Sequence, residues 1–524
     1  MSTIDRRNFL GVTALGAAAV LAKPLLATAQ EVPAFELDEL TLGQLQEGMG
    51  SGRWSARGIA QAYLGRIDAV DKRTTNAVIE RNPDALAIAD ERDAERKAGH
   101  VRGPLHGIPV LIKDNIDTAD RMHTTAGSLA LADHIAAQDA AVAKRLRDAG
   151  AVIIGKTNLS EWANFRSTHS TSGWSGRGGL TRNPYALDRN ACGSSSGTGA
   201  AIAANLAAIG IGTETDGSIV CPSSANGLVG IKPTVGLVSR SGIIPISHSQ
   251  DTAGPMARTV RDAAILLGAL TGVDDRDRVT LGSRGKVHTD YTRFLDPAGL
   301  KGARIGVARH YFGFNDHVDR IMKDALDALE QLGAELVDPA DMTTAGKYDD
   351  SEFEVLLYEF KADLDQYLEP LKLTLADLIK FNEANRDREM PYFGQEIFVQ
   401  AEKKGPLTDA KYKKALAKNR RLSRTEGIDA TLKKHKLDAL IAPTGGPVWP
   451  TDLINGDHFT GGFSTASAVA GYPHITVPAG YAFGLPVGLS FFAGAWSEPT
   501  LLKLAYAFEQ GTKARRAPKF LATV

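Results

Sequence analysis

Short apolar runs of strand length alternate with helical stretches along this chain, and this alternation constrains its fold more than any other feature. Residues 108–112 and 151–154 are such runs, and the stretch between them at 139–149 reads as a helix. Strand-like sequence returns at 438–442 and 475–478. Runs that are apolar throughout are typical of strands covered on both faces. The pattern predicts an α/β fold around a largely buried sheet, which 524 residues with 43% hydrophobic content can enclose.

Helical spacing is clearest in two further regions. Leu42, Leu45 and Met49 follow one another at helical intervals, and Ser55 has the character of an N-cap for the next helix. A charged region at about 345–435 keeps an apolar helical face, made of Phe353, Leu356, Leu357, Phe360, Leu364 and Leu368. We therefore expect a helical insertion at about 345–435, packed over the α/β core.

Charge and cysteine content exclude several classes of protein. The formal net charge is −1 and aromatic residues are not interleaved with basic ones, so nothing indicates a nucleic-acid partner. Only two cysteines are present, Cys192 and Cys221, which excludes a disulfide scaffold and a cysteine-based zinc or iron–sulfur site. The two cysteines either pair as a disulfide or lie in the core as small apolar side chains.

The N-terminus has the features of an export signal. Residues 5–10 read Asp-Arg-Arg-Asn-Phe-Leu, an Ala-rich apolar stretch follows, and Ala-Thr-Ala ends at Ala29. The paired arginines resemble a twin-arginine signal; the alternative is a basic start before a buried helix. We expect residues 1–29 to be removed after passage through the twin-arginine export machinery. The mature protein, residues 30–524, would then be periplasmic or secreted, with no stable membrane association.

Two clusters of serine and glycine carry the strongest chemical signal. Residues 192–201 read Cys-Gly-Ser-Ser-Ser-Gly-Thr-Gly-Ala-Ala, and residues 212–224 read Gly-Thr-Glu-Thr-Asp-Gly-Ser-Ile-Val-Cys-Pro-Ser-Ser. Glycine lets backbone N–H groups turn toward a ligand, and a serine in such a turn can present its hydroxyl group. A flexible linker is the alternative interpretation. Segments rich in Ala, Ile and Val flank both clusters and favour a folded, reactive site.

Two short segments match known sequence motifs letter for letter, but their flanking sequences do not fit the structures that those motifs require. Gly150–Thr157 fits the P-loop pattern, but the four residues that should wrap a phosphate are the apolar run Ala-Val-Ile-Ile, itself a predicted strand. Gly193–Gly197 fits the nucleophile elbow with Ser195 as nucleophile, which requires a strand before the turn and an Asp and a His after it. The segment at 183–190 before this turn is predicted to be a loop, and none of the downstream histidines has a distinctive context.

A set of separated motifs resembles the amidase signature family. It comprises Gly-Ile-Pro-Val-Leu-Ile-Lys-Asp-Asn at 107–115, the two Ser/Gly clusters, and shorter matches at 155–158, 230–234, 251–255 and 442–444. The resemblance extends from about Leu42 to the C-terminus. It implies a single α/β/α domain with a central mixed sheet, covering residues 30–524. It also implies hydrolysis of carboxamide bonds by a Ser–cis-Ser–Lys triad, with no cofactor or metal.

The resemblance assigns a role to each residue of the triad. Lys113 is the base, Ser194 follows a cis peptide bond and relays protons, and Ser218 is the nucleophile. An oxyanion hole is implied at the backbone N–H groups of Thr215, Asp216, Gly217 and Ser218. A lysine can act as a base only when neutral, so burial or nearby positive charge must lower its pKa.

The surroundings of Lys113 bear on that requirement. Lys113 ends the apolar run at 108–112, so we expect its side chain to be buried. Asp114 and Asp117 would oppose the lowering of the lysine pKa if their carboxylates faced it.

One position departs from the common family pattern. Many members read Gly-Gly-Ser where this chain has Asp216-Gly217-Ser218. Aspartate tolerates unusual backbone angles, but a carboxylate beside a developing oxyanion is unfavourable unless it points away. This version of the turn, together with the first cluster, resembles the branch of bacterial peptide amidases, which release ammonia from C-terminally amidated peptides.

We therefore expect an exported amidase acting on a small amide or peptide amide. Three alternatives remain open. The first is a general aliphatic or aryl-acylamide amidase, and the second is the glutamine-hydrolysing subunit of a tRNA-dependent amidotransferase, which is cytosolic and so conflicts with an export signal. The third is a non-catalytic binding protein on the same fold, which retention of Lys113, Ser194 and Ser218 disfavours.

Overall fold

The computed structural model describes residues 29–524. The predicted export signal lies outside the described residues, apart from Ala29. Within this part of the chain the strands are β1 (Val78–Arg81), β2 (Pro109–Lys113), β3 (Val152–Thr157), β4 (Trp174–Ser175), β5 (Gly179–Leu180), β6 (Ile209–Glu214), β7 (Val229–Lys232), β8 (Thr252–Ala257), β9 (Arg304–Val307), β10 (Glu335–Val337), β11 (Ala439–Pro443), β12 (His474–Ala482) and β13 (Leu485–Phe492).

One large mixed sheet organises the molecule. Eleven strands follow the order β1-β3-β2-β6-β8-β7-β12-β13-β11-β9-β10. Strands β3, β2 and β6 are parallel neighbours, and so are β11, β9 and β10. Between these two groups β8, β7, β12 and β13 run antiparallel. Every residue of β2, β3 and β6 is buried, as their apolar sequences predict.

Helices cover the sheet, with α7 against β8, and with α8 and α16 against β12 and β13. The predicted α/β fold class, a single domain with a central mixed sheet flanked by helices, is confirmed. The α-helices are α1 (Leu42–Gly50), α2 (Ala56–Val70), α3 (Ala85–Lys97), α4 (Ala141–Asp148), α5 (Ser196–Ala203), α6 (Val220–Ala225), α7 (Val260–Leu270), α8 (Asp316–Gln331), α9 (Asp349–Leu368), α10 (Leu375–Ala384), α11 (Arg386–Glu389), α12 (Glu396–Glu402), α13 (Ala410–Arg420), α14 (Asp429–His435), α15 (Thr465–Ala470) and α16 (Glu498–Thr512).

Several local predictions are confirmed. Ser55 caps α2, since its side chain accepts a hydrogen bond from the N–H of Gly58. Leu42, Leu45 and Met49 lie on the buried face of α1. Strand β3 occupies most of the span that a P-loop would need as a phosphate-wrapping loop, so that motif is a chance match.

The charged region at 345–435 is helical through most of its length, from α9 to α14, with a π-helical segment at Arg421–Ile428 joining α13 to α14. Leu364 and Leu368 of α9 share a small apolar core with Phe398 of α12 and with Trp162 and Phe165, which follow β3. This core places α9 beside the loops that leave the central strands.

No helix among residues 29–524 has the length and hydropathy needed to cross a membrane.

Candidate active site

Strands β2 and β6 position the two sides of the candidate site. They are parallel neighbours with Ile112 opposite Ile211, so Lys113 ends β2 close to Thr213 near the end of β6. The carboxyl ends of adjacent parallel strands lie at the same edge of a sheet, which is where ligand sites form in α/β folds.

The two Ser/Gly clusters lie together at this edge. The N–H of Ser195 donates to the carbonyl oxygen of Ser218 at 3.2 Å, which joins the first cluster to the second. Cys192 and Cys221 form a disulfide with a Cα–Cα distance of 6.0 Å. Of the two possibilities that the sequence left open, a disulfide or two separate core side chains, the structure shows the disulfide. The predicted site residues are therefore brought together.

Lys113 is fully buried and bonded to the first cluster. Its Nζ lies 2.8 Å from Ser194 Oγ and 2.9 Å from Thr213 Oγ1. Burial lowers the pKa of Lys113 to about 7, and the negative charges of Asp251 and Glu214 oppose this fall. The lysine can therefore be neutral at physiological pH.

The two aspartates that could have opposed this shift point elsewhere. Asp114 accepts a hydrogen bond from the hydroxyl of Thr125. Asp117 accepts one from Tyr367 at 2.8 Å.

Ser194 joins the first cluster to the lysine through the bond between its Oγ and Lys113 Nζ. The Gly193–Ser194 peptide bond is cis, as the family resemblance implies. Ser194 is fully buried and its carbonyl oxygen accepts the N–H of Ser160 at 3.1 Å. These contacts fix the backbone on which the Ser194 hydroxyl is carried.

The turn after β6 presents a serine and several backbone donors. Ser218 is 8% exposed. Gly217 has φ of +81°, a conformation that favours glycine. Among the described residues, the N–H groups of Asp216, Gly217 and Ser218 donate to no protein acceptor. Buried N–H groups are normally paired, so free donors beside a serine are suited to bind a negatively charged oxygen.

The carboxylate of Asp216 is engaged away from these donors. Its Oδ2 accepts a hydrogen bond from Thr465 Oγ1 of α15 at 2.7 Å. Burial raises the pKa of Asp216, and the hydrogen bond from Thr465 opposes this rise. The Asp216 carboxylate therefore points away from the candidate oxyanion donors, as the Asp-Gly-Ser sequence requires.

Ser195 has a structural role instead of a nucleophilic one. It is fully buried, and its Oγ donates to the carbonyl oxygen of Thr213 at 3.0 Å and accepts from the Thr213 N–H. No strand of four or more residues precedes it within residues 158–195. The nucleophile-elbow match is therefore rejected by the structure as well.

A cavity of about 880 Å³ adjoins the lysine side of the site. Thr213, Glu214 and Thr215 form part of its wall, together with Asn115, whose side chain donates to Thr213 Oγ1 at 3.0 Å. The lining does not include Ser194 or Ser218. The cavity is large enough to bind a ligand, and it borders the site at Thr213 and Asn115.

Sequence reasoning missed the residues that support the site. Thr213 and Asn115 contact the lysine or its partner, and Asp251 and Gln250 contact Thr215. Asn115 and Asp251 lie inside motifs that carried the family resemblance, but nothing in the sequence indicated their contacts. Gln250 lies directly before one of those motifs.

The site combines a buried lysine, a serine that is bonded to it and follows a cis peptide bond, and a second serine beside free backbone donors. This combination is characteristic of one class of amide hydrolases. A family model for amidases matches residues 58–502. The chain belongs to the amidase signature family and is an enzyme that hydrolyses amide bonds.

Solved and curated relatives agree with this assignment. The native peptide amidase from Stenotrophomonas maltophilia is 52% identical with a TM-score of 0.89, and the match covers 93% of this chain and all of that one. A protein named probable amidase from Arabidopsis thaliana is 41% identical over 93% of both chains. A glutamyl-tRNA(Gln) amidotransferase subunit of Acinetobacter baylyi is 36% identical over 91% of this chain and 97% of that protein.

Proposed function

We propose that this enzyme deamidates peptides with a C-terminal carboxamide and releases ammonia through an acyl-enzyme on Ser218. The observation that carries the proposal is the bond of 2.8 Å between a fully buried lysine, Lys113, and Ser194. The similarity to a peptide amidase at 52% identity supports the choice of substrate class.

The first half of the reaction forms the acyl-enzyme. Neutral Lys113 accepts a proton from Ser194, which accepts one from Ser218 as the Ser218 oxygen bonds to the amide carbon. The carbonyl oxygen becomes negative and is bound by the N–H groups of the turn at 215–218. Ser194 gives a proton to the amide nitrogen and takes one back from Lys113, which becomes neutral again. The C–N bond breaks and ammonia leaves.

The second half uses water in place of the serine. Water gives a proton to Ser194 as its oxygen bonds to the acyl carbon, and the same backbone donors bind the second oxyanion. Ser194 passes its own proton to neutral Lys113 as it takes the one from water. The bond to Ser218 then breaks, Ser218 takes a proton from Ser194, and Lys113 returns its proton to Ser194. The product is a peptide with a free carboxylate.

The experiment is an ammonia assay on purified protein with a peptide amide, its N-alkyl amide and glutamine. We expect turnover of the peptide amide and a loss of about 10³-fold or more in Ser218→Ala. Ser195→Ala is the matched control, because Ser195 is a buried serine of the same site without a chemical role, and it should keep most of the activity.

The alternatives give different results in the same assay. Turnover of glutamine alone would identify a glutaminase subunit, and equal rates on simple acylamides would identify a general amidase. Activity that survives in Ser218→Ala and disappears in Ser195→Ala would overturn the assignment of the nucleophile.

We also propose that the enzyme is exported through the twin-arginine machinery and acts outside the cytoplasm. The Cys192–Cys221 disulfide supports this, because disulfides persist in oxidising compartments. Replacing Arg6 and Arg7 with lysine should hold the protein in the cytoplasm with its N-terminal segment uncleaved. Unchanged export of that variant would contradict the proposal.

A further inference from the structure

We propose that Gln250 is a positioning residue that aims the backbone N–H of Asp216 into the oxyanion hole, and that α9 holds Gln250 in place for this purpose. The inference rests on the proposed function, since it concerns donors assigned to the reaction there. It gives a role to the loop at 246–251 and to α9 within the helical region.

Thr215 is held at two points by this loop. The side-chain Nε2 of Gln250 donates to the Thr215 carbonyl oxygen at 3.3 Å. The hydroxyl of Thr215 donates to Asp251 Oδ1 at 2.6 Å. Asp251 is itself fixed, because its Oδ2 accepts the N–H groups of Ile246 and Ser247, each at 2.8 Å.

The bond to the Thr215 carbonyl determines the direction of the next N–H group. The carbonyl of Thr215 and the N–H of Asp216 belong to one planar trans peptide unit, so they point in opposite directions. Holding the carbonyl toward Gln250 therefore directs the Asp216 N–H away from Gln250. Within residues 29–524 that N–H donates to no protein acceptor, as an oxyanion donor requires.

Gln250 is suited to this position because it donates without bringing a charge. It is 1% exposed, and the same Nε2 donates to Glu352 Oε1 of α9 at 2.8 Å. Burial and the neighbouring charge of Asp216 raise the pKa of Glu352 well above its ordinary value. A lysine here would add a positive charge, and a glutamate would place a carboxylate against a carbonyl oxygen.

Two further carboxylates of α9 hold the same loop. Glu359 Oε2 accepts the hydroxyl of Ser247 at 2.5 Å and the N–H of Ser249 at 3.0 Å. Asp363 Oδ2 accepts the N–H of His248 at 2.9 Å. Helix α9 is thus connected through the loop to the turn that carries the nucleophile.

The test compares Gln250→Ala and Gln250→Glu with wild type on a peptide amide. We expect kcat to fall about 10- to 100-fold with little change in KM, because an oxyanion donor acts mainly in the transition state. Affinity for a peptide aldehyde, which forms a tetrahedral adduct with the nucleophile, should fall in parallel. Affinity for the carboxylate product should stay within a few fold.

Gln395 supplies a matched control within the same protein. It is a buried glutamine of the helical region whose Nε2 also bridges a carbonyl oxygen, that of Ile379 at 3.1 Å, and a carboxylate, that of Glu383 at 3.0 Å. Gln395→Ala should match Gln250→Ala in lost stability and keep wild-type kcat.

The outcomes separate this inference from the proposed function. Wild-type protein that releases no ammonia from peptide amides would overturn the proposed function. An active wild type whose kcat is unchanged in both Gln250 variants, or reduced equally by Gln395→Ala, would overturn the role of Gln250. If Gln250→Ala does not fold, the isosteric Gln250→Glu decides the question.

Discussion

At the scale of single residues, Lys113 can be a base because the fold removes it from water. A solvated lysine is protonated at neutral pH. Burial lowers the pKa of Lys113 to about 7, while Asp251 and Glu214 limit the fall. The result is a lysine whose charge changes near neutrality and whose Nζ already contacts Ser194.

The first prediction is the pH dependence of the reaction. Lys113 must be neutral to accept a proton, and it is charged below its pKa of about 7. The value of kcat/KM should therefore rise with pH through about 7 and level off above it. A profile that is flat or falling across this range would contradict the assignment of Lys113 as base.

Asp251→Asn should move this profile in a defined direction. The negative charge of Asp251 raises the pKa of Lys113, so its removal should lower that pKa and shift the rise in kcat/KM to lower pH. Asparagine keeps an oxygen that can accept the Thr215 hydroxyl. Asn115→Asp, which adds a charge near Thr213, should shift the rise in the opposite direction.

At the scale of elements, the disulfide joins the two segments that carry the serines. Cys192 lies two residues before Ser194, and Cys221 lies three residues after Ser218, in α6. The Ser195 N–H to Ser218 carbonyl bond is a second link between the same segments. Together they restrict relative motion of the proposed relay and nucleophile.

The double variant Cys192→Ser, Cys221→Ser should lose stability. The bond spans 29 residues, and closing a loop of that length stabilises a protein by about 3–4 kcal/mol through the unfolded chain. The urea midpoint should fall in the variant and in reduced wild type, and a reductant should not lower the variant further. An unchanged midpoint would show that the disulfide does not contribute.

At the scale of the whole molecule, the sequence predicted the class of fold and not its strand order. The apolar runs that became β2 and β3 were recognisable because burial on both faces leaves a continuous hydrophobic signal. The pairing of β8 with β6, or of β12 with β7, depends on contacts between distant segments that no local pattern records.

The site divides in the same way. Lys113, Ser194 and Ser218 could be chosen as candidate site residues from the sequence, because each lies in a motif with a fixed internal spacing. The contacts of Gln250 with Thr215 and with Glu352 of α9 could not be predicted from the sequence. The first pair is separated by 35 positions and the second by 102. The candidate reactive residues could thus be predicted from the sequence, whereas the contacts that orient them could not.

The most direct test of the account is the site at which a serine-reactive fluorophosphonate binds covalently. Residues 190–240 form one tryptic peptide that contains both clusters, because Pro233 protects the bond after Lys232. Cleavage after Glu214 of the reduced peptide separates Ser194 and Ser195 from Ser218. We expect label on Ser218, and strongly reduced labelling in Lys113→Ala. Label on Ser194 or Ser195, in the fragment that ends at Glu214, would contradict it.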